Sequence, residues 1–212
     1  MQQIGELSRE FRQGEVVYNR EVTIYRPLKA GEQPQAINTP AQFITLGFKP
    51  KRWAERTQGG SGRIAYSEEE VIAMGGALTY GDHATNKKPW FQTLATMVGL
   101  LRKPEHLDDT RFPFEFNGTF WTFFEWGMKG SAYTDGAREI YSQRRIGSLR
   151  KSWMAHVWNL TTSLKDYPNG NSAYVPRLRP GALCGPEFQA WILDVLRGEE
   201  ASELESMDES ND

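Results

Sequence analysis

Hydrophobic and polar positions alternate with the period of β-strands in three parts of the chain. Residues 15–26, EVVYNREVTIYR, are rich in β-branched and aromatic side chains and predict a strand or a pair of strands. Residues 41–48, AQFITLGF, predict another strand. Residues 148–164 fit both a helical and a strand period. A PNGN turn and an extended stretch follow them, which favours a strand over 154–165 and a return strand after the turn.

Three other segments carry apolar residues at helical spacing next to helix start and stop signals. Ser67 and Glu70 form a capping box in front of a short predicted helix, 67–77. Residues 89–103 begin with a proline, are followed by another, and predict a second helix. Residues 186–198 begin with proline, end with glycine and predict a third. Together with the strands, these segments predict a β-rich α+β fold with two or three packed helices.

The segment FEFNGTFWTFFEW, residues 114–126, places seven aromatic rings around one Asn-Gly pair. Asn117-Gly118 predicts a two-residue hairpin turn in which Phe116 lies opposite Thr119. One face then carries Phe112, Phe114, Phe116, Trp121 and Phe123, and the other carries Glu115, Phe120, Thr122, Phe124 and Trp126. Two interpretations compete: a central hairpin buried on both faces, or a face partly exposed as a platform on which bases stack. The first face is typical of core, and the second is the better place for contacts.

Charge is distributed unevenly along the chain. Residues 199–212 contain seven acidic residues and no lysine or arginine, which leaves 25 basic and 20 acidic residues in the body. This tail has no aromatic residue and few apolar ones, so burial cannot compensate for the entropy of ordering it. We therefore predict a single nucleic-acid-binding domain over 1–198 and a disordered acidic tail over 199–212.

Lysine and arginine adjoin aromatic residues in three clusters, at 49–63, 87–91 and 127–151. Each cluster alone is also typical of a solvated surface. Together they favour a groove for single-stranded nucleic acid, in which cations neutralise phosphates and flat rings stack on unpaired bases. The candidate contacts are Lys51, Arg52, Trp53, Lys87, Lys88, Trp90, Lys129, Arg138, Tyr141, Arg144, Arg145, Arg150 and Lys151.

No residue pattern identifies a catalytic or metal site. Cys184 is the only cysteine, which excludes an internal disulfide and a thiolate zinc cluster. The three histidines lack the spacing of zinc motifs, and no carboxylate cluster with a suitably placed lysine is visible. We therefore predict a protein without cofactor, metal ion or catalysis.

Neither a membrane segment nor a leader sequence is visible. No run approaches eighteen apolar residues, and the first residues lack the apolar segment of a signal peptide. A single cysteine also fits a reducing compartment. We therefore expect no membrane span and a cytoplasmic location.

In its organisation, a β-rich, aromatic and basic body followed by an acidic C-terminus, the chain resembles acidic-tailed single-stranded DNA-binding proteins of bacteria and phages. The resemblance implies an OB-like core, which is a small Greek-key barrel, and a tail that recruits replication, recombination or repair proteins. It implies base stacking by Trp121, Phe123 and Trp126 and phosphate contacts by Arg144, Arg145, Arg150 and Lys151. The chain departs from the family in its extra helices and in the ending SMDESND, which lacks terminal apolar residues.

Two other functional interpretations stay open alongside sequence-tolerant binding of single-stranded DNA or RNA. The protein could be a non-catalytic assembly subunit whose aromatic face is a protein interface. It could also be a nucleic-acid-processing enzyme whose site the sequence does not reveal. The residues do not distinguish DNA from RNA, and they leave the oligomeric state open.

Overall fold

The computed structural model describes residues 11–57, 62–108, 110–146, 153–167 and 170–209, and the side chains within 143–146 and 199–209 lie outside this description. The strands are β1 (Val16–Tyr18), β2 (Val22–Tyr25), β3 (Ala41–Phe48), β4 (Arg52–Glu55), β5 (Ile64–Ala65), β6 (Phe91–Arg102), β7 (Phe114–Phe116), β8 (Thr119–Lys129), β9 (His156–Asp166) and β10 (Ser172–Leu183). The helices are α1 (Glu68–Ala73), α2 (Tyr80–Asn86), α3 (Arg138–Ile146) and α4 (Pro186–Glu209). A π-helical turn, Tyr133–Ala137, leads into α3.

Most strands form one antiparallel sheet with the order β10-β9-β3-β6-β8-β7. β4 follows β3 in the chain and pairs with the first part of β6, on the same edge of β6 as β3. β5 pairs with β4. β6 therefore has a partner along both edges. β1 and β2 form a separate hairpin.

The sheet is open among the described residues. It ends at β10 and β5 on the side of β6 that pairs with β3 and β4, and at β7 on the other side, and no backbone pairing joins these ends. The β9-β10 hairpin extends the sheet outward from β3 instead of closing it against β7. The β-rich α+β fold is thus confirmed, whereas the OB-like barrel is not.

Residues 89–103 form the central strand β6, so the helix predicted there is wrong. A strand with partners on both edges and packing on both faces has a nearly continuous apolar sequence, which satisfies helical and strand spacing alike. The buried residues Ala95, Met97 and Leu101 follow the even spacing of a strand. Residues 80–86, just before this strand, form α2.

The remaining strand and hairpin predictions are confirmed. Residues 15–26 form the pair β1-β2, residues 41–48 form β3, and residues 154–165 correspond to β9 with β10 as its return strand. At the aromatic hairpin, Phe116 pairs with Thr119, and Asn117 has a φ of 48°. The Asn-Gly turn signal therefore predicted the register of the aromatic hairpin correctly.

Both faces of the sheet are packed. On one face, called the α4 face, Ile44, Leu100 and Trp121 pack with residues of α4. On the other, called the α3 face, a larger layer joins the sheet to the β1-β2 hairpin and to α3, and it includes Phe43, Met97, Trp126 and Ile140. The aromatic hairpin therefore contributes rings to two core layers, as its central interpretation predicts. Phe112 lies outside β7 and packs in the α3-face layer, so its predicted place beside Phe114 is wrong.

The C-terminal helix starts at the predicted residue but runs further than predicted. α4 spans Pro186–Glu209, so the end expected at Gly198 is wrong. Ala201, Leu204 and several glutamates favour continued helix. The structure does not test the disorder predicted for the acidic tail, because the side chains of 199–209 and all of 210–212 lie outside the described residues. In the part of the chain that the structure describes, no helix has the length and apolarity needed to cross a membrane.

Cys184 is enclosed in the α4-face layer and should be unreactive. Burial raises the pKa of its thiol to about 11. At pH 8, roughly one such thiol in a thousand is ionised, against about a quarter at the ordinary pKa of 8.5. We expect the native protein to react with DTNB at least about a hundredfold more slowly than the urea-unfolded chain. Rapid labelling of the native protein would contradict this burial.

Candidate nucleic-acid interface

Among the described residues, α4 covers only one end of the α4 face of the sheet. Leu100 packs in the layer beneath α4, whereas Leu94, on the same face of β6, is partly exposed. Arg52 of β4 pairs with Leu94, and Leu94 pairs with Lys129 of β8. Because neighbouring strands lie about 4.8 Å apart, the Cα atoms of Arg52 and Lys129 are about 10 Å apart across this row.

An exposed ring lies at the β4 end of this row. Tyr66 follows β5 and is 66% exposed. The guanidinium of Arg52 lies over the Tyr66 ring, 5.5 Å from its centroid. This cation–π contact orients the guanidinium without using its hydrogen-bond donors.

A second arginine and ring lie further along the same face. The backbone N–H of Arg56 donates to the carbonyl of Trp90 at 2.7 Å, and its guanidinium lies 5.2 Å from the Trp90 ring centroid. Thr79 caps α2, which places two more rings against Trp90. Tyr80, 63% exposed, packs edge-on at 5.3 Å, and His83 stacks at 6.0 Å.

We call this surface the basic–aromatic patch. It consists of Arg52, Arg56, Tyr66, Tyr80, His83, Trp90, Leu94 and Lys129. The patch combines the exposed rings of Tyr66 and Tyr80 and the half-buried ring of Trp90 with cations on a sheet surface. These are the two components that an unpaired nucleic-acid strand requires.

The cations of the patch are not neutralised by the described part of the protein. Arg52, Arg56 and Lys129 form no ion pair with any described residue. Arg63 differs, because its Nε donates to the Glu55 carboxylate at 2.8 Å. That hydrogen bond lowers the pKa of Glu55. The patch therefore carries three positive charges that are available to an anion.

Two of the predicted lysines border the patch at the end of α2. Lys87 ends the helix with a φ of 55°, is exposed and forms no ion pair with a described residue. Lys88 lies 3.3 Å from the carboxylate of Asp82. Hydrogen bonds from Asn86 and then from Lys88 lower the pKa of Asp82. Lys87 thus adds positive charge next to Trp90, while the charge of Lys88 is balanced locally.

The structure brings together parts of all three predicted clusters. Arg52 comes from the first, Trp90 from the second and Lys129 from the third, and Lys87 and Lys88 lie at the border. The other predicted contacts lie elsewhere.

Lys51 and Trp53 lie on the opposite side of β4 from the patch. Alternation along the strand directs Trp53 to the α3 face, where it packs with Val71 and Phe91. The ammonium of Lys51 lies over the Trp53 ring, 4.5 Å from its centroid. Trp53 is core, and its predicted role in base contact is corrected.

The three rings of the aromatic hairpin that were predicted to stack on bases are packed in the protein. Trp121 is 4% exposed and Trp126 is 7% exposed, each in a different core layer. Phe123 packs edge-on with Phe114 at 5.1 Å. Trp121 and Trp126 cannot take a base while they occupy the core, so their predicted roles are corrected. Phe123 is half-buried, and its predicted role stays a prediction.

The fold separates Lys129 from the rest of the third cluster, residues 127–151. Gly130, with a φ of 55°, turns the chain out of β8 into the π-helical turn and α3, which pack on the α3 face. Tyr141 stacks on Phe48 there at 4.5 Å, and Arg138 is exposed on the same helix. The structure therefore separates both from the patch. Of the remaining predicted contacts, Arg144 and Arg145 have side chains outside the described residues, and Arg150 and Lys151 lie outside them entirely.

Five of the eight patch residues were missed as candidate contacts: Arg56, Tyr66, Tyr80, His83 and Leu94. Arg56 carries a detectable signal, because it follows Arg52 at the even spacing that places both on one face of a strand. Tyr66 carries none, because it reaches Arg52 only through the pairing of β4 with β5.

The described residues contain no group of three His, Cys, Asp or Glu side chains arranged to hold a metal ion. The chain was compared with protein-family models, with curated proteins and with solved structures, and nothing matched. A functional assignment therefore depends on the geometry and charge of the patch.

Proposed function

We propose that this protein binds single-stranded DNA or RNA through the basic–aromatic patch, with little dependence on sequence. In this mode Tyr66, Tyr80 and Trp90 stack on bases. Arg52, Arg56 and Lys129 neutralise phosphates. Such a protein would protect or present single strands in replication, recombination or repair.

One observation supports the proposal most strongly. Two arginines without an ion-pair partner among the described residues lie over rings on one open sheet surface. A purely structural arginine is normally held by a carboxylate or a carbonyl, as Arg63 is here. Cations that the fold leaves unneutralised beside exposed rings favour an anionic, flat ligand.

The proposal is tested by titrating the protein with oligo-dT and with oligo-U while intrinsic tryptophan fluorescence is recorded at low and at high salt. We expect quenching at low salt, since Trp90 lies in the patch, and a steep loss of affinity as salt rises. A matched DNA duplex should bind more weakly, because its bases are not available for stacking. Absence of salt-sensitive binding at micromolar protein would reject the proposal.

The acidic tail should weaken binding. Deleting residues 199–212 removes seven acids and changes the formal net charge from −2 to +5. We expect oligo-dT affinity at low salt to rise about threefold to tenfold, and the gain to shrink at high salt. A full-length variant with the seven acids changed to Gln and Asn separates charge from length and should show the same gain. Unchanged affinity in both variants would assign the tail no role in binding.

The aromatic hairpin gives little support to the interpretation of this protein as an assembly subunit. Its rings meet partners inside the same chain: Phe116 lies 4.7 Å from Phe188 and 5.3 Å from Trp191, both in α4. The hairpin face on which that interpretation depends is therefore largely occupied. Recruitment of replication or recombination proteins by the tail stays a prediction.

A further inference from the structure

We infer that the basic–aromatic patch prefers single strands that contain guanine, read by the guanidinium groups of Arg52 and Arg56. This inference rests on the proposed function and adds a base preference to it. Stacking alone accepts any base, so the preference must come from hydrogen bonding.

The guanidinium groups of Arg52 and Arg56 differ from that of Arg63, which also lies over a ring. Arg52, Arg56 and Arg63 each lie over an aromatic ring, at 5.5, 5.2 and 5.5 Å from the centroid. Arg63 uses its side-chain donors on Glu55 and on the carbonyl of Met74. Among the described residues, the guanidinium groups of Arg52 and Arg56 donate to no side chain or carbonyl. Each therefore presents an oriented pair of N–H groups.

A planar guanidinium donates two parallel hydrogen bonds to two acceptors on one edge. On its major-groove edge guanine offers two such acceptors, N7 and O6, whereas on that edge adenine pairs an acceptor with a donor, thymine presents one acceptor and cytosine a donor. In an unpaired strand this edge is accessible, because the base can turn outward. Two phosphate oxygens could accept the same two hydrogen bonds. The surface between the two arginines therefore determines whether a base or a phosphate fits better.

The surface between the two guanidinium groups is apolar on its β5 side. On this face β4 carries Ala54 between Arg52 and Arg56, with Ile64 of β5 paired to it on one side and Gln92 of β6 on the other. Ile64 is 36% exposed and Ala54 is buried, so the part of this surface next to β5 is hydrophobic. A base bound edge-on to either guanidinium can place its face on Ile64, whereas a phosphate bound there gains no such apolar contact.

The test compares oligo-dT strands of equal length in which one central position is dT, dG, deoxyinosine or 7-deaza-dG, measured in lithium salt so that no quadruplex forms. Deoxyinosine keeps N7 and O6, and 7-deaza-dG lacks N7. We expect dG and deoxyinosine to bind at least about fivefold more tightly than dT, and 7-deaza-dG to lose most of that gain. Equal affinities for all four strands would overturn the inference and leave the proposed function standing, whereas failure of every strand to bind would reject the proposed function.

Charge-preserving variants locate the reading groups. Arg52→Lys with Arg56→Lys keeps both charges but removes the paired guanidinium donors, so the ratio of dG affinity to dT affinity should fall to about one. Arg179→Lys is the matched control, because Arg179 is exposed on β10 and does not lie over a ring among the described residues. A dG preference that survives in the double variant would show that the arginines bind phosphate only, and would overturn the inference.

Discussion

Replacing Tyr66 and Trp90 together with alanine should weaken oligo-dT binding at least about 30-fold. Stacking contributes about 1–3 kcal/mol per base, and two lost platforms give about 2–6 kcal/mol. Both rings adjoin arginines that lie over them, so their removal also frees those guanidinium groups from their present orientation. Fluorescence anisotropy of labelled oligo-dT measures the change without depending on the tryptophan that is removed.

A matched double variant controls for loss of ring area. Phe120 is 40% exposed with Lys103 over it at 5.5 Å, and Tyr167 has Lys165 over it at 5.6 Å. Phe120→Ala with Tyr167→Ala removes the same type of contact away from the patch and should leave affinity within about twofold. Thermal melting of both double variants verifies that each is folded. Equal losses in the two would show that the patch has no special role.

Gly99→Ala should destabilise the protein by about 1–3 kcal/mol or more, since a methyl group added there overpacks the sheet. A Cβ at this position would meet the Ile44 carbonyl oxygen and lie 2.7 Å from the Phe124 ring. A backbone carbonyl in a paired strand cannot move aside cheaply. If 89–103 were a helix, the same change would stabilise it by about 1 kcal/mol. The sign of the change in urea unfolding free energy therefore distinguishes strand from helix.

Gly127→Ala is the matched control on the neighbouring strand. An added Cβ there meets only the Leu94 Cδ1 at 3.5 Å, which is ordinary contact. We expect its unfolding free energy to stay within about 0.5 kcal/mol of the wild type or to rise slightly. A stabilising Gly99→Ala, or equal destabilisation by both variants, would contradict the assigned packing of β6 against β3.

The sequence predicted correctly those turns, registers and helix starts that depend on residues close together in the chain. Asn117 and Gly118 define their own turn, so the register of the aromatic hairpin follows directly. Ser67 similarly marks the start of α1, where its side chain accepts from the Glu70 N–H. Such signals need no knowledge of the remaining chain.

The wrong predictions concern features that depend on contacts between segments far apart in the chain. β6 has partners on both edges, so its apolar sequence matched a helical period, and only its strand pairing resolves the ambiguity. Trp121 and Trp126 lie in different layers because α4 and α3 cover opposite faces of the same strand. The pairing of Tyr66 with Arg52 likewise depends on two strands that meet across a glycine-rich connection.

The salt dependence of oligo-dT binding tests the patch most directly. Each neutralised phosphate of a single strand contributes about −0.7 to the slope of log K against log salt, so Arg52, Arg56 and Lys129 together predict about −2. Arg52→Ala with Arg56→Ala should reduce the magnitude of this slope by about 1.4. Arg138→Ala with Arg179→Ala removes the same charge from exposed residues outside the patch and should leave it unchanged. Equal slopes for the wild type and the Arg52, Arg56 variant would contradict binding at the patch.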